Sequence, residues 1–193
     1  MPRLRTFLFL LLTTLPLWTY DASAQQPKKQ ILKSIVSHYY KNEKPIYKGR
    51  NQLLFTFCDQ PPNNAELFET INSLKLPPAE VKTLRQKISQ DTAPANWKSE
   101  LGEILSAPEA STLKIKVNEC LNLEEYQEKQ KRFNLNNQRL MIVYRPLFYN
   151  GGKSALVKVV FYRSIEHNSG SVLKLELQNG SWAIKEFLNP WST

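Results

Sequence analysis

The sequence predicts an α+β fold in which several short helices pack against a mainly antiparallel sheet that ends in a C-terminal four-stranded meander. Two observations support this prediction. Between residues 31 and 105, apolar side chains recur every three or four positions, which is the period of a helix face. From residue 139 onward the chain alternates or is continuously apolar, and Asn and Gly stand where antiparallel strands must turn.

An export signal is predicted over residues 1–24. Arg3 and Arg5 precede an apolar run from Phe7 to Leu17, and Ala22-Ser23-Ala24 has the small residues of a cleavage site. The apolar run is shorter than the roughly 20 residues that cross a bilayer, and no later segment reaches that length. We therefore expect a secreted or periplasmic product without a transmembrane segment after signal removal.

The product, residues 25–193, has the size of a single domain, with a helix-rich part over 25–135 and the β-meander over 139–189. It is basic, because the full sequence has 26 Lys and Arg against 17 Asp and Glu and loss of the leader leaves a net charge of +8. Such a charge attracts anionic partners, so a protein or an anionic envelope component is the expected partner. Nucleic acid is not expected, because charges of both signs are interspersed.

Four helices are predicted before Pro108. Asn63 or Asn64 is the expected N-cap of the second helix, and Pro78 is expected in the first turn of the third. The last three helices follow one another closely, so we expect them to form one local layer. The apolar faces of the four helices are, in chain order, Ile31, Leu32, Ile35, Val36, Tyr39 and Tyr40; Leu67, Phe68, Ile71 and Leu74; Val81, Leu84 and Ile88; and Trp97, Leu101, Ile104 and Leu105.

The chain has two cysteines, Cys58 and Cys120, and each follows a predicted strand. In an oxidising compartment a disulfide between them is expected. Its closure would restrict the unfolded chain by about 4 kcal/mol in the chain-entropy treatment. The carboxylates of Asp59 and Glu119 adjoin the two cysteines and disfavour a reactive thiolate, so the bond is expected to be structural.

The meander is predicted as four strands. The second strand is apolar on both faces and is therefore expected at the centre of the sheet. His167-Asn168-Ser169-Gly170 is expected to turn the chain. Asn179-Gly180 favours a two-residue type I′ hairpin, which places Leu177 opposite Trp182 on the core face. The four strands are expected over Arg139–Phe148, Ala155–Glu166, Val172–Gln178 and Ser181–Phe187.

No catalytic or metal-binding motif stands out, and no cofactor is expected. Gly152-Lys153-Ser154 lacks the earlier glycine of a phosphate-binding loop and precedes a strand. Acidic residues of the helices, such as Glu66, are expected on solvent-facing sides, so no carboxylate pair is singled out. His167 next to Glu166 leaves a small hydrolase open as an alternative, and a small-ligand binder of cone-like fold is a second alternative.

Tyrosines and basic residues on the first two meander strands and their turn are the candidate interaction surface. Tyr and Arg are favoured at protein interaction hot spots. With the basic charge, this group favours an exported, non-catalytic interaction or binding module. Its members are Tyr144, Arg145, Tyr149, Lys153, Tyr162 and Arg163.

The order of several short segments resembles small, uncharacterised exported bacterial proteins. The closing Asn-Gly-x-Trp hairpin is also similar to nuclear-transport-factor-like cone folds, in which helices come first and the sheet last. Both resemblances imply this order of elements and neither implies an activity. The segments are Leu-Phe-Glu-Thr-Ile-Asn at 67–72, Leu-Pro-Pro at 76–78, Asn-Trp at 96–97, Arg-Pro-Leu-Phe at 145–148 and Leu-Gln-Asn-Gly-Ser-Trp-Ala-Ile at 177–184.

Overall fold

The computed structural model describes residues 20–42, 53–55, 64–91, 97–106, 127–128, 131–132, 139–164 and 167–193. Its helices are α1 Tyr20–Asn42, α2 Ala65–Ser73, α3 Pro78–Gln90 and α4 Lys98–Ser106. Its strands are β1 Leu53–Phe55, β2 Arg139–Val143, β3 Leu147–Tyr149, β4 Ser154–Ser164, β5 His167–Gln178 and β6 Ser181–Ser192. A 3₁₀ turn, Asn150–Gly152, joins β3 to β4. The predicted α+β class is confirmed.

The six strands form one sheet in the order β1-β2-β4-β5-β6, with β3 also paired to β4. β1 runs parallel to β2, and the other pairings are antiparallel. β2 and β3 follow one another along the same side of β4. Together with β4, β5 and β6 they form the predicted meander, and β4 has the central place that its two apolar faces indicated.

The first meander strand is interrupted, whereas the sequence predicted a continuous one. The main-chain N–H of Tyr144 donates to the carbonyl of Lys158 at 3.0 Å, and pairing resumes with Leu147 opposite Leu156. Two residues of the first strand therefore stand against one residue of β4, which is a β-bulge. One of the two is Pro146, which fits there because it has no N–H to contribute to the ladder.

The hairpin between β5 and β6 is confirmed. Asn179 and Gly180 both have positive φ, 49° and 77°, as a type I′ turn requires. Leu177 pairs with Trp182 as predicted, and Trp182 is buried. Leu177 itself is 40% exposed because it lies near the tip of the hairpin.

The predicted turn at His167 to Gly170 is wrong. β5 already begins at His167, which pairs with Ser164, so these four residues lie in a strand. A Cβ at Gly170 would lie 2.7 Å from the indole ring of Trp191. The glycine is therefore explained by close packing under a ring, and the sequence pattern alone does not distinguish this from a turn.

Helices cover both faces of the sheet, so the prediction that α2, α3 and α4 form one layer is wrong. A central strand that is apolar on both sides needs cover on both sides. On the α1/α4 face, buried side chains of those helices pack with Met141, Val143, Ala155, Val157, Val159, Leu173, Leu175 and Trp182. On the α2/α3 face, Leu67, Ile71, Leu84 and Ile88 pack with Tyr149, Leu156 and Val172.

Two helix starts follow the sequence pattern. Pro78 occupies the first position of α3, and Asn64 stands at the N-cap of α2. The Asn64 side chain makes no cap hydrogen bond, and its Nδ2 donates instead to the carbonyl of Ile88 at 3.3 Å. It therefore links the start of α2 to the end of α3.

Cys58 and Cys120 lie outside the described residues, so their disulfide stays a prediction. Of the segment after Cys120, residues 127–128 and 131–132 are described, and they are helical.

Candidate functional site

The tyrosines of the predicted interaction surface lie mainly in the interior. Tyr149 and Tyr162 are 7% and 6% exposed, and Tyr144 is half-buried. Strand alternation places all three on the α2/α3 face of the sheet. The hydroxyl of Tyr162 accepts a hydrogen bond from Nε2 of Gln127 at 2.7 Å. These rings therefore contribute to packing and do not form an exposed Tyr/Arg patch.

Arg145 and Lys153 are the exposed members of the group among the described side chains. Arg145 lies in the bulge and forms a salt bridge of 3.2 Å with Asp91, directly after α3. Lys153 ends the β3–β4 turn, and its carbonyl accepts a hydrogen bond from the N–H of Leu177 at 2.8 Å. The side chain of Arg163 lies outside the described residues. Among the described side chains of the group, the structure therefore does not assemble one exposed surface.

A buried ion pair that the sequence did not indicate lies between α2 and β4. Lys158 is 2% exposed, although it belongs to the central strand. Its Nζ lies 2.6 Å from Oε2 of Glu66 and 4.9 Å from the centroid of the Tyr144 ring. The prediction that Glu66 faces solvent is wrong, because this side of α2 rests on the sheet. A single Lys in an apolar strand gives no signal of its partner.

The ion pair explains how two charges are tolerated under α2. A charge out of water is costly unless an opposite charge and hydrogen bonds compensate for it. The Tyr144 ring adds a cation–π contact to Lys158. Burial raises the pKa of the Tyr144 hydroxyl, and the nearby Glu66 carboxylate raises it further. The cluster therefore consists of a charged pair beside a neutral hydroxyl, and it places α2 at one position along β4.

His167 is exposed at the first position of β5. Its predicted neighbour in a catalytic pair, Glu166, lies outside the described residues. Within the described ranges, no three His, Cys, Asp or Glu side chains are close enough together to hold a metal ion. His38 packs in α1 against the rings of Tyr39 and Phe187, with centroids 5.3 and 5.2 Å away.

The outward side of α3 forms an open groove with a volume of about 440 Å³. Two cationic residues, Lys82 and Arg85, lie along it with exposed side chains, and Nη2 of Arg85 donates a hydrogen bond to Oδ1 of Asn72 in α2. Side-chain amides and a hydroxyl lie beside them, over a partly apolar floor. We call this surface the α3 groove; its described lining residues are Pro78, Val81, Lys82, Arg85, Gln86, Ser89 and Gln90.

The carboxylates in and next to α3 are engaged on another side of the helix. An Oε1 of Glu80 accepts a hydrogen bond from the main-chain N–H of Asn150 at 2.6 Å. Asp91 pairs with Arg145, as described above. No carboxylate is among the described residues that line the groove, so its charge is positive. In the sequence, the residues of the α3 groove recur every three or four positions beside the buried face of the helix. This spacing alone does not distinguish a binding surface from an ordinary solvated helix face.

Comparison with protein-family models, with curated proteins and with solved structures finds no match to this chain. The resemblance to small exported bacterial proteins and to cone folds therefore stays a prediction. None of the helices within the described ranges combines the length and the apolar character that crossing a membrane requires.

Proposed function

We propose that this chain is an exported, non-catalytic binding module that holds a phosphate-bearing component of the cell envelope at the α3 groove. The observation that supports this most directly is the pair of cations, Lys82 and Arg85, in a groove whose described lining contains no carboxylate. Guanidinium and ammonium groups donate charge-assisted hydrogen bonds to phosphate oxygens, and Arg does so through two parallel donors.

The size and lining of the groove favour a small charged headgroup over a protein surface. Stable protein interfaces bury roughly 800 Å² on each partner and use aromatic anchors. The large apolar side chains that are exposed among the described residues, Leu177 and Phe187, belong to β5 and β6 and not to α3. The groove offers side-chain amides and cations over a small apolar floor, which suits one anionic group.

Export is supported by the position of a proline in α1. Pro27 is the eighth residue of the helix Tyr20–Asn42, where its missing N–H would cost a hydrogen bond. Cleavage after Ala24 would make Pro27 the third residue of the mature helix. In the first turn the N–H has no partner in the helix, so proline is tolerated there.

The binding proposal is tested by co-sedimentation of the exported protein with vesicles. Vesicles of phosphatidylglycerol should retain the protein at low salt, and vesicles of phosphatidylcholine should not. Because the attraction is between exposed charges, binding should weaken as salt is raised. The double variant Lys82→Gln/Arg85→Gln should bind at least about tenfold more weakly, since it loses the charge-assisted hydrogen bonds.

A matched control removes the same charge elsewhere. Lys33→Gln/Lys185→Gln changes two exposed lysines on α1 and β6, and it should retain binding. Equal losses in both double variants would mean that net charge alone is responsible, and would overturn the assignment to the groove. Binding of a soluble Asp/Glu-rich peptide without binding to the vesicles would replace the envelope component with a protein partner.

A further inference from the structure

Two turns at the same end of the sheet contain the same dipeptide in different surroundings. Asn150-Gly151 lies in the turn between β3 and β4, and Asn179-Gly180 forms the tip of the β5–β6 hairpin. Both asparagines have positive φ, 52° and 49°. The two turns are joined by the hydrogen bond from the N–H of Leu177 to the carbonyl of Lys153. They therefore form a natural comparison within one molecule.

Asn150 is restrained by its neighbours. Its main-chain N–H donates to the carboxylate of Glu80 at 2.6 Å, and its side-chain Nδ2 donates to Oγ of Ser154 at 3.3 Å. Ser154 is itself buried. Rotation of the Asn150 side chain toward the following main-chain nitrogen would break the second of these bonds, and the first holds the main chain of Asn150 in place.

The tip of the β5–β6 hairpin is open. Asn179 and Gly180 are both exposed, and the structure records no hydrogen bond of the Asn179 side chain to another described residue. No described heavy atom beyond the immediate chain neighbours lies within 4 Å of the position that a Cβ of Gly180 would take. The Asn179 side chain therefore has room to rotate toward the main chain of Gly180.

We propose that Asn179 is a site of spontaneous deamidation and that Asn150 is protected from it by the fold. The main-chain nitrogen of Gly180 attacks Cγ of Asn179, and a new N–Cγ bond forms. The bond from Cγ to the side-chain nitrogen breaks, and ammonia leaves with the proton of the Gly180 amide. Water then opens the succinimide at one of its two carbonyls, which yields aspartate or isoaspartate, with no change of oxidation state.

The product changes the hairpin in two ways. A new carboxylate lowers the net charge of the protein by one. In the unmodified protein, the two-residue loop pairs Gln178 with Ser181. In the isoaspartyl product the main chain of this loop gains a methylene group. The I′ geometry cannot accommodate this extra atom without a shift in the pairing next to Trp182.

The test is to incubate the folded protein at mildly alkaline pH and to follow two tryptic peptides, residues 175–185 and 140–153, by mass spectrometry. A gain of about 1 Da should appear at least about tenfold faster in the first peptide, since the hydrogen bonds at Asn150 must open first. In denaturant the two rates should converge, because glycine follows both asparagines. A rate at Asn150 that equals the rate at Asn179 in the folded protein, or a preference that persists in denaturant, would overturn the proposal.

Two variants separate the restraint from the sequence. Ser154→Ala removes the hydrogen bond to the Asn150 side chain and should accelerate the mass gain in peptide 140–153. Asn179→Asp keeps a residue that accepts the I′ turn, and its peptide 175–185 should show no further mass gain. If Ser154→Ala perturbs the fold, as judged by circular dichroism, the comparison of native with denatured wild-type protein still decides the question.

Discussion

The α1/α4 face of the sheet is closed by an apolar cluster, in which the indole N–H of Trp97 finds a partner in the carbonyl of Val143 at 2.9 Å. On the α2/α3 face, an apolar cluster adjoins a buried Lys158, paired with Glu66, and two further buried polar side chains, Thr70 and Ser154. Apolar contacts are non-directional and tolerate small shifts of a helix. An ion pair does not, because a shift of one turn would separate the buried ammonium of Lys158 from the carboxylate of the half-buried Glu66.

The difference indicates how each helix pair is positioned. α1 and α4 are held by the volume of side chains that fit between them and the sheet. α2 is held in addition by one contact of defined geometry. Substitutions that separate volume from pairing therefore test the comparison directly.

The largest effect is expected when the ion pair loses one partner. Glu66→Ala leaves the ammonium of Lys158 buried without its carboxylate and should lower the free energy of unfolding by about 4 kcal/mol. The double variant Glu66→Leu/Lys158→Met, which replaces both charges with apolar groups, should recover most of that loss. Urea unfolding measures both. If Glu66→Ala lowers the free energy of unfolding by less than about 1 kcal/mol, the pair contributes no more than an ordinary surface salt bridge.

A slightly smaller effect is expected from a cavity on the other face. Leu173 is fully buried against α1 and α4, and Leu173→Ala should cost about 3 kcal/mol through lost transfer free energy and an unfilled cavity. Because Leu173 and the Glu66–Lys158 pair lie on opposite faces of the sheet, the costs of Leu173→Ala and Glu66→Ala should add to within about 0.5 kcal/mol. Strong non-additivity in urea unfolding would mean that the two faces are not independent.

An intermediate effect is expected at Gly170 in β5, which pairs with Trp191 in β6. Gly170→Ala places a methyl group 2.7 Å from the indole ring and should cost about 2 kcal/mol through overpacking. Adding Trp191→Ala to this variant should relieve the clash, so the double variant should lose less than the sum of the single ones. Thermal unfolding followed by circular dichroism measures all three. If Gly170→Ala leaves the stability unchanged, the Trp191 ring can move aside, and close packing does not explain why glycine occupies this position.

The smallest effect is a shift in alkaline stability on the α2/α3 face. The pKa of Tyr144 is raised above 10.0 by burial and then by Glu66. The unfolded chain therefore loses this proton at lower pH than the folded chain. The contribution of Tyr144 to the free energy of unfolding is complete below pH 10.0 and is lost as the pH rises through the folded pKa. Tyr144→Phe should make the decline in stability between about pH 9 and about pH 11 shallower. An unchanged decline would remove Tyr144 as a contributor.

Much of the local structure could be predicted from the sequence. The Asn179-Gly180 turn follows from residues that accept positive φ, and the central place of β4 follows from its two apolar faces. The inward residues of α1 and α3, such as Ile35 and Leu84, follow from the helical period. The order of apolar and polar residues within one segment is local information. It can be interpreted without knowing which other segment packs against it.

The errors share another cause, because each depended on a contact between residues distant in the chain. Gly170 has the composition of a turn residue, but the ring of Trp191 decides its role. Glu66 has the position of a solvated acid, but Lys158 meets it from β4. Tyr149 has the composition of an interface residue, but its ring packs with side chains of α2 and α3 and is 7% exposed.

By itself, the sequence determined the type and the approximate extent of most described helices and strands, and the excess of positive charge. The tertiary structure alone decided which sheet face each helix covers, which charges pair in the interior, and which basic side chains are left along the α3 groove. Periodicity reports only that a side is apolar, whereas the choice of partner depends on the simultaneous packing of segments that are far apart in the chain.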